Sequence, residues 1–245
     1  MPRPMQDQLP CWAYWEGPQP AIFGLCMDTI RTFHPELQVL DANSARAMGA
    51  GEIIDATTNN LRQHRSDLLR FWLLSKFGGA WFDSDCILLA PSLLLNDARR
   101  PNKIGAFCRR KPNGARAEGF HFVMRKSPMA DKAFAECKAV LSRGVFHYAD
   151  PSCGVVGRAY QGFRKQCVMR EHNSYYPMTG KDDFVLVHQF GKNKNKHAIL
   201  RNRPVMLHVG SHATAMLSAL SREQLLNGNW VISELLRSAI PGYMR

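Results

Sequence analysis

The stretch LRQHRSDLLRFWLLSKFGG (61–79) carries apolar residues on nearly every face of a helix and then stops at two glycines. Asp67, Arg70, Phe71 and Leu74 fall at i, i+3, i+4 and i+7 and share one face, while Leu68, Leu69, Trp72 and Leu73 fill the flanks. A helix that is apolar all round must be packed on more than one side. Thr57-Thr58 reads as its opening and Gly78-Gly79 as its stop, where glycine tolerates left-handed backbone. Residues 80–82 then read as a strand ending on Asp83-Ser84-Asp85. Helix, tight turn, strand and polar strand end is how an open α/β sheet presents a ligand site.

The rest of the first half alternates in the same way. CWAYW (11–15) reads as a strand, 21–33 as a helix stopped by His34-Pro35, and 37–41 as a strand. Asn43-Ser44 can cap a short helix that ends near Gly49–Gly51. In the second half, 103–107, 120–124, 184–188 and 205–209 read as strands, and 128–141, 154–168 and 222–239 as helices. No repeat and no linker is legible, so one domain over 1–245 is expected, in two halves, 11–100 and 101–245.

At 245 residues and 45% hydrophobic, the chain can bury one sizeable core. Lys and Arg total 32 against 20 Asp and Glu, so the balance is 32 − 20 = +12, which suits an anionic partner. Arg109-Arg110-Lys111 and Lys192, Lys194 and Lys196 cluster in expected loops. The seven cysteines form no CxxC pair, which argues against a zinc site or a disulfide framework and for reduced thiols. MPRPMQDQLP has no apolar core of a signal peptide, and no run of about 18 apolar residues occurs. The expected location is therefore cytoplasmic, with peripheral contact at an anionic inner membrane face left open.

In a strand, period two puts Asp83 and Asp85 on one side, where they repel unless a cation sits between them. A hard divalent ion, Mn²⁺ or Mg²⁺, suits carboxylates and leaves positions for phosphate oxygens. Two turn or capping aspartates are the plainer alternative. Asp67 and Arg70 raise the stakes, because an ion pair in a mostly buried helix is costly unless it meets a polar ligand.

Ser66-Asp67-Leu68-Leu69-Arg70, followed by Gly78-Gly79-Ala80-Trp81-Phe82-Asp83-Ser84-Asp85, resembles the sugar-binding DxD region of glycosyltransferase family 32 and the capsular polysaccharide synthesis proteins. Trp12-Ala-Tyr-Trp15-Glu-Gly-Pro is similar to that family's first strand. The resemblance is strong over about 11–90 and weak beyond. It implies a GT-A fold, α/β with a mostly parallel central sheet flanked by helices and the DxD at a strand end. It implies a metal-dependent sugar transfer from a UDP- or GDP-sugar to a glycan or lipid-linked acceptor, with retention at the anomeric carbon. By that resemblance, Asp83 and Asp85 would serve the metal, Asp83 also the ribose and sugar, and Asp67 and Arg70 the sugar hydroxyls. Trp12 or Trp15 would line the base pocket. His208 would be a third metal ligand and Ser211 would donate a hydrogen bond to a phosphate, in Met206-Leu-His208-Val-Gly-Ser211-His212. His212 stands where the family commonly has tryptophan. No carboxylate stands out as a nucleophile, although Glu118, Asp182 and Asp183 are available.

Two rival classes remain at this level, besides a degenerate, non-catalytic transferase. A basic nucleic-acid-binding module would explain the charge, but no recognition motif is present, so no nucleic-acid partner is expected. Another DxD metal-dependent phosphate enzyme, such as a nuclease, would explain the acids but not Asp67-x-x-Arg70.

Overall fold

The computed structural model describes residues 9–57, 62–108, 121–144, 147, 150–171, 175 and 204–243. The chain folds as two compact units: Met1–Glu16, Leu37–Phe82 and Leu93–Arg170 form the first, and Gly17–Glu36, Asp83–Ser92 and Glu171–Arg245 the second. The basic clusters at 109–111 and 192–196, the 184–188 strand, Glu118, Asp182 and Asp183 lie outside the described residues.

The first unit is built on six strands. They are β1 (Cys11–Tyr14), β2 (Leu37–Leu40), β3 (Gly79–Phe82), β5 (Gly105–Cys108), β6 (His121–Met124) and β7 (Cys167–Arg170). They lie in the order β2-β1-β3-β6-β5-β7. β1 is parallel to β2 and β3, β6 is antiparallel to β3 and β5, and β7 is parallel to β5. Five of the six strands therefore run one way, the mostly parallel α/β sheet that the alternation predicts. Nearly every residue of β1, β3, β5 and β6 is buried, as expected of strands covered on both faces.

Helix α4 (Arg62–Lys76) packs on this sheet and against α6 (Pro128–Ser142). Leu69, Phe71, Leu73 and Leu74 join Trp81, Phe107, Phe122 and Cys137 in the core. Gly78 and Gly79 close the turn at φ +70° and +122°. A Cβ on Gly79 would lie 2.3 Å from the Pro10 carbonyl oxygen, so the approach of β3 to β1 demands glycine there.

Several boundaries differ from the expectation. Thr57 closes α3 (Gly51–Ala56) rather than opening α4. The first short helix, α2 (Ala42–Ala45), is capped by Asp41, whose side chain accepts from Ser44 N. Residues expected as one helix over 154–168 divide into α7 (Val155–Gly162), a single tight turn and β7, where pairing with β5 overrides helical spacing.

The second unit contains α1 (Ala21–Phe33), the antiparallel pair β4 (Cys86–Leu88) and β8 (Met206–His208), α8 (Ser211–Leu217), α9 (Arg222–Asn227) and α10 (Val231–Ala239). Gly228-Asn229-Trp230 splits the expected C-terminal helix in two, because α10 needs its own extended N-cap at Trp230. Thr29 ties α1 to β4: its hydroxyl accepts from Leu88 N at 2.9 Å and donates to the Cys26 carbonyl at 2.7 Å.

Candidate active site

In the second unit, β4 and β8 pair with Cys86 opposite His208, and Val209 N extends the ladder to the Asp85 carbonyl at 2.9 Å. This register sets the residue before β4 beside the last residue of β8. His208 Nε2 lies 3.0 Å from Asp85 Oδ2, and both side chains stay about a quarter exposed (22% and 24%). Backbone pairing of β4 with β8 closes a sequence separation of 208 − 85 = 123 residues.

β3 ends at Phe82, and Asp83-Ser84-Asp85 is a turn in which Cys86 N donates to the Asp83 carbonyl at 3.2 Å. Strand alternation therefore does not govern the two aspartates, contrary to the period-two expectation. Among the described residues, Asp83 does not complete a three-ligand cluster with Asp85 and His208 inside 4.8 Å. Both carboxylates still act on one neighbour. Burial first, then the negative charges of Asp85 and Asp83, push the Cys86 thiol well above its usual range. Cys26 is pushed the same way by burial and by Asp85. Both thiols therefore stay protonated at neutral pH and are poor metal ligands there.

Oxygen and imidazole donors are thus what this edge offers a cation. That set fits Mn²⁺ or Mg²⁺, with imidazole better suited to the former. Ser211 opens α8, and the side chains of Ser211 and His212 lie outside the described residues.

In the first unit, Asp67 and Arg70 meet as the helical spacing requires. Arg70 Nη2 is 3.2 Å from Asp67 Oδ1, with both side chains more than nine-tenths buried. The Arg70 guanidinium lies 5.0 Å from the Trp81 ring centroid and 6.0 Å from that of Phe122. The aromatic faces stabilise the cation where water cannot. Cys137 on α6 lies in the same field, its thiol raised by burial and by Asp67, and lowered in part by Arg70.

The two tryptophans have different environments. Trp12 is core: its Nε1 donates to the Gly78 carbonyl at 2.9 Å and its ring lies 5.8 Å from that of Phe77. Trp15 is half-buried and so has surface to offer a ligand.

A polar network beside Trp15 escaped the sequence reading. Arg65 Nη1 donates to Glu16 Oε1 at 2.5 Å, Arg65 Nε to Thr57 Oγ1 at 3.1 Å, and Arg65 Nη2 to the Thr57 carbonyl at 3.0 Å. Tyr14 Oη donates to Glu16 Oε2 at 2.8 Å, and burial followed by this carboxylate raises the phenol's pKa. The available signal was a second arginine inside the apolar helix.

Residues 3–96 match the family described as capsular polysaccharide synthesis protein. Through that segment the chain resembles those proteins, as Asp67-x-x-Arg70 and the DxD led us to expect. Among curated proteins, none matches the chain. Among solved structures, it is similar to the apo-form glycosyltransferase GlyE of Streptococcus pneumoniae TIGR4, with TM-score 0.52 and 11% identity, covering 96% of this chain and 61% of that one. The bifunctional glycosyltransferase WbbM gives TM-score 0.52 and 11% identity, over 96% of this chain and 50% of that one. The galactosyltransferase LgtC, solved with donor and acceptor sugar analogues, gives TM-score 0.51 and 12% identity, over 94% and 96% of the two chains. This chain thus spans about half to three-fifths of GlyE and WbbM. The shared fold is the GT-A one.

Proposed function

We propose that the protein transfers a sugar, with retention, from a UDP- or GDP-sugar to a glycan or lipid-linked acceptor, in the manner of polysaccharide biosynthesis. The observation that carries this reading is the Asp85–His208 pair, set by the β4–β8 register directly after the DxD turn. Asp83, Asp85 and His208 would hold Mn²⁺ or Mg²⁺, which when bound would neutralise charge developing on the leaving diphosphate.

The protein's own groups supply orientation. Arg70 is held from one side by Asp67 and from another by the indole of Trp81, and would meet a sugar hydroxyl with its fork. Asp67 would accept from a second hydroxyl. Trp15 would stack on the base, with its strand end held by the Tyr14–Glu16–Arg65 network. Ser211 would donate to a phosphate oxygen. Retention without a covalent intermediate asks for no carboxylate nucleophile.

Among the described residues, no helix is long and apolar enough to cross a membrane. The proposed setting is cytoplasmic, and an excess of +12 favours peripheral contact with anionic lipid. The test is a panel of nucleotide-sugars scored for Mn²⁺-dependent thermal stabilisation and slow donor hydrolysis. One donor should respond, and Asp83→Ala and Asp85→Ala should abolish the response. No response from any donor by a folded protein would defeat the reading.

A further inference from the structure

Among the described residues, the pairing of β3 with β6 ends on the rung Phe82↔His121, and beyond Phe82 the chain turns into Asp83-Ser84-Asp85. The last rung of a ladder is the first to fray, because pairing supports it on one side only. Here it is reinforced twice by one side chain. The imidazole of His121 stacks on Phe82 with centroids 4.0 Å apart and planes 13° from parallel. Its Nδ1 lies 2.7 Å from the Trp81 carbonyl oxygen, and since a carbonyl only accepts, Nδ1 carries the proton. His121 and Phe82 are both fully buried (0% exposed), so neither contact is diluted by water. One ring thus grips the two residues immediately before the carboxylates, by a hydrogen bond to one and an aromatic stack on the other.

We infer that His121 is a positioning residue for the DxD turn, acting through Trp81 and Phe82 and touching no substrate atom. The consequence for sugar transfer rests on the function proposed above; the mechanical role does not. A strand end free to shift would carry Asp83 and Asp85 with it, and supporting partners of this kind set how well first ligands are aimed. The family-like GGAWFDSD segment does not contain this support; it comes from a strand about forty residues later.

Two substitutions separate the two contacts. His121→Phe keeps the ring and the stack and loses the donor. His121→Asn places an amide nitrogen where Nδ1 was and loses the stack. Hydrogen exchange of the 83–86 amides reads the turn itself, and Mn²⁺ titration with donor KM and kcat reads its use. In His121→Phe, exchange at 83–86 should quicken about 10-fold while α4 and α6 keep their protection. The Mn²⁺ half-saturation and donor KM should rise about 10-fold, the lower end of what losing a supporting partner does, with kcat changed less. His121→Asn should restore exchange and half-saturation to within about 3-fold of the parent.

Unchanged exchange at 83–86 in His121→Phe overturns the inference. So does equal damage in both variants, or loss of protection spreading through α4 and α6, either of which marks a merely structural residue. If the parent protein shows no Mn²⁺ response while exchange behaves as stated, the metal reading falls and the positioning role stands.

Discussion

Asp67→Ala is the sharpest test of how the first unit holds its charges. The substitution leaves Arg70 with its side chain 6% exposed and its contact with Asp67 gone. Removing one member of a buried pair costs about 3–5 kcal/mol, chiefly for the stranded charge. Stacking of the guanidinium over Trp81 and Phe122 offsets about 1 kcal/mol of that. The remaining ~2–4 kcal/mol corresponds, at roughly 2–4 °C per kcal/mol for a chain of this size, to a Tm lower by about 4–16 °C. The double variant Asp67→Leu with Arg70→Met replaces both charges by apolar groups of similar volume. It should recover stability to within about 1–2 kcal/mol of the parent, because no stranded charge remains. Urea unfolding of the parent, the singles Asp67→Leu and Arg70→Met and the double variant completes a cycle whose coupling energy is the quantity sought. A fall of less than about 1 kcal/mol in Asp67→Ala would refute the argument, since only an Arg70 whose charge does not depend on Asp67 tolerates that loss. The recovered double variant should still fail to respond to any nucleotide-sugar, which separates binding from folding.

Other outcomes follow from the same geometry. Asp85→Asn and His208→Ala should each remove most of the Mn²⁺-induced Tm rise, which at 100-fold saturation is worth about 2.7 kcal/mol; retention of the full rise in both would place the ion elsewhere. Cys26, Cys86 and Cys137 are held neutral by burial, and Cys167 is pushed up to about 12. A thiol raised in the folded state leaves stability intact below its unfolded pKa of about 8.5 and weakens it as pH climbs above, by up to ~1.4 kcal/mol per unit per thiol. Urea midpoints should therefore be flat from pH 7 to 8 and fall steeply from pH 9 to 11; a flat alkaline limb refutes this. Gly79→Ala should prevent soluble folding, while Gly144→Ala, also at positive φ (+70°) but with open space around it, should cost only about 1 kcal/mol by urea unfolding.

What was legible in the sequence was what is local. The 3.6-residue spacing in α4 put Asp67 beside Arg70, and Gly78-Gly79 set the turn before β3. Apolar runs too short for helices located the buried strands. Boundaries went wrong where a partner far along the chain decided them: Thr57 belongs to α3 and to Arg65, and residues 167–170 belong to β5. The site was legible in its residues and not in its assembly. The resemblance pointed to His208 as a partner of the DxD, but spacing within MLHVG does not bring it to Asp85; the β4–β8 register does. His121 was invisible for the same reason, since its meaning lies in opposing Phe82. Glu16 and Arg65 are 49 positions apart and nothing in spacing joins them.

The alternation of segments between the two units has a practical consequence. The polypeptide passes from one to the other after residues 16, 36, 82, 92 and 170. No single cut yields either unit whole: a fragment ending at 170 would still carry 17–36 and 83–92 as orphaned insertions, stripped of the α8–α10 region they fold with. Isolating either unit would require excising its guest segments and splicing the flanks. Exchange of either unit between relatives by recombination would have to move three pieces together, which makes this architecture resistant to modular shuffling.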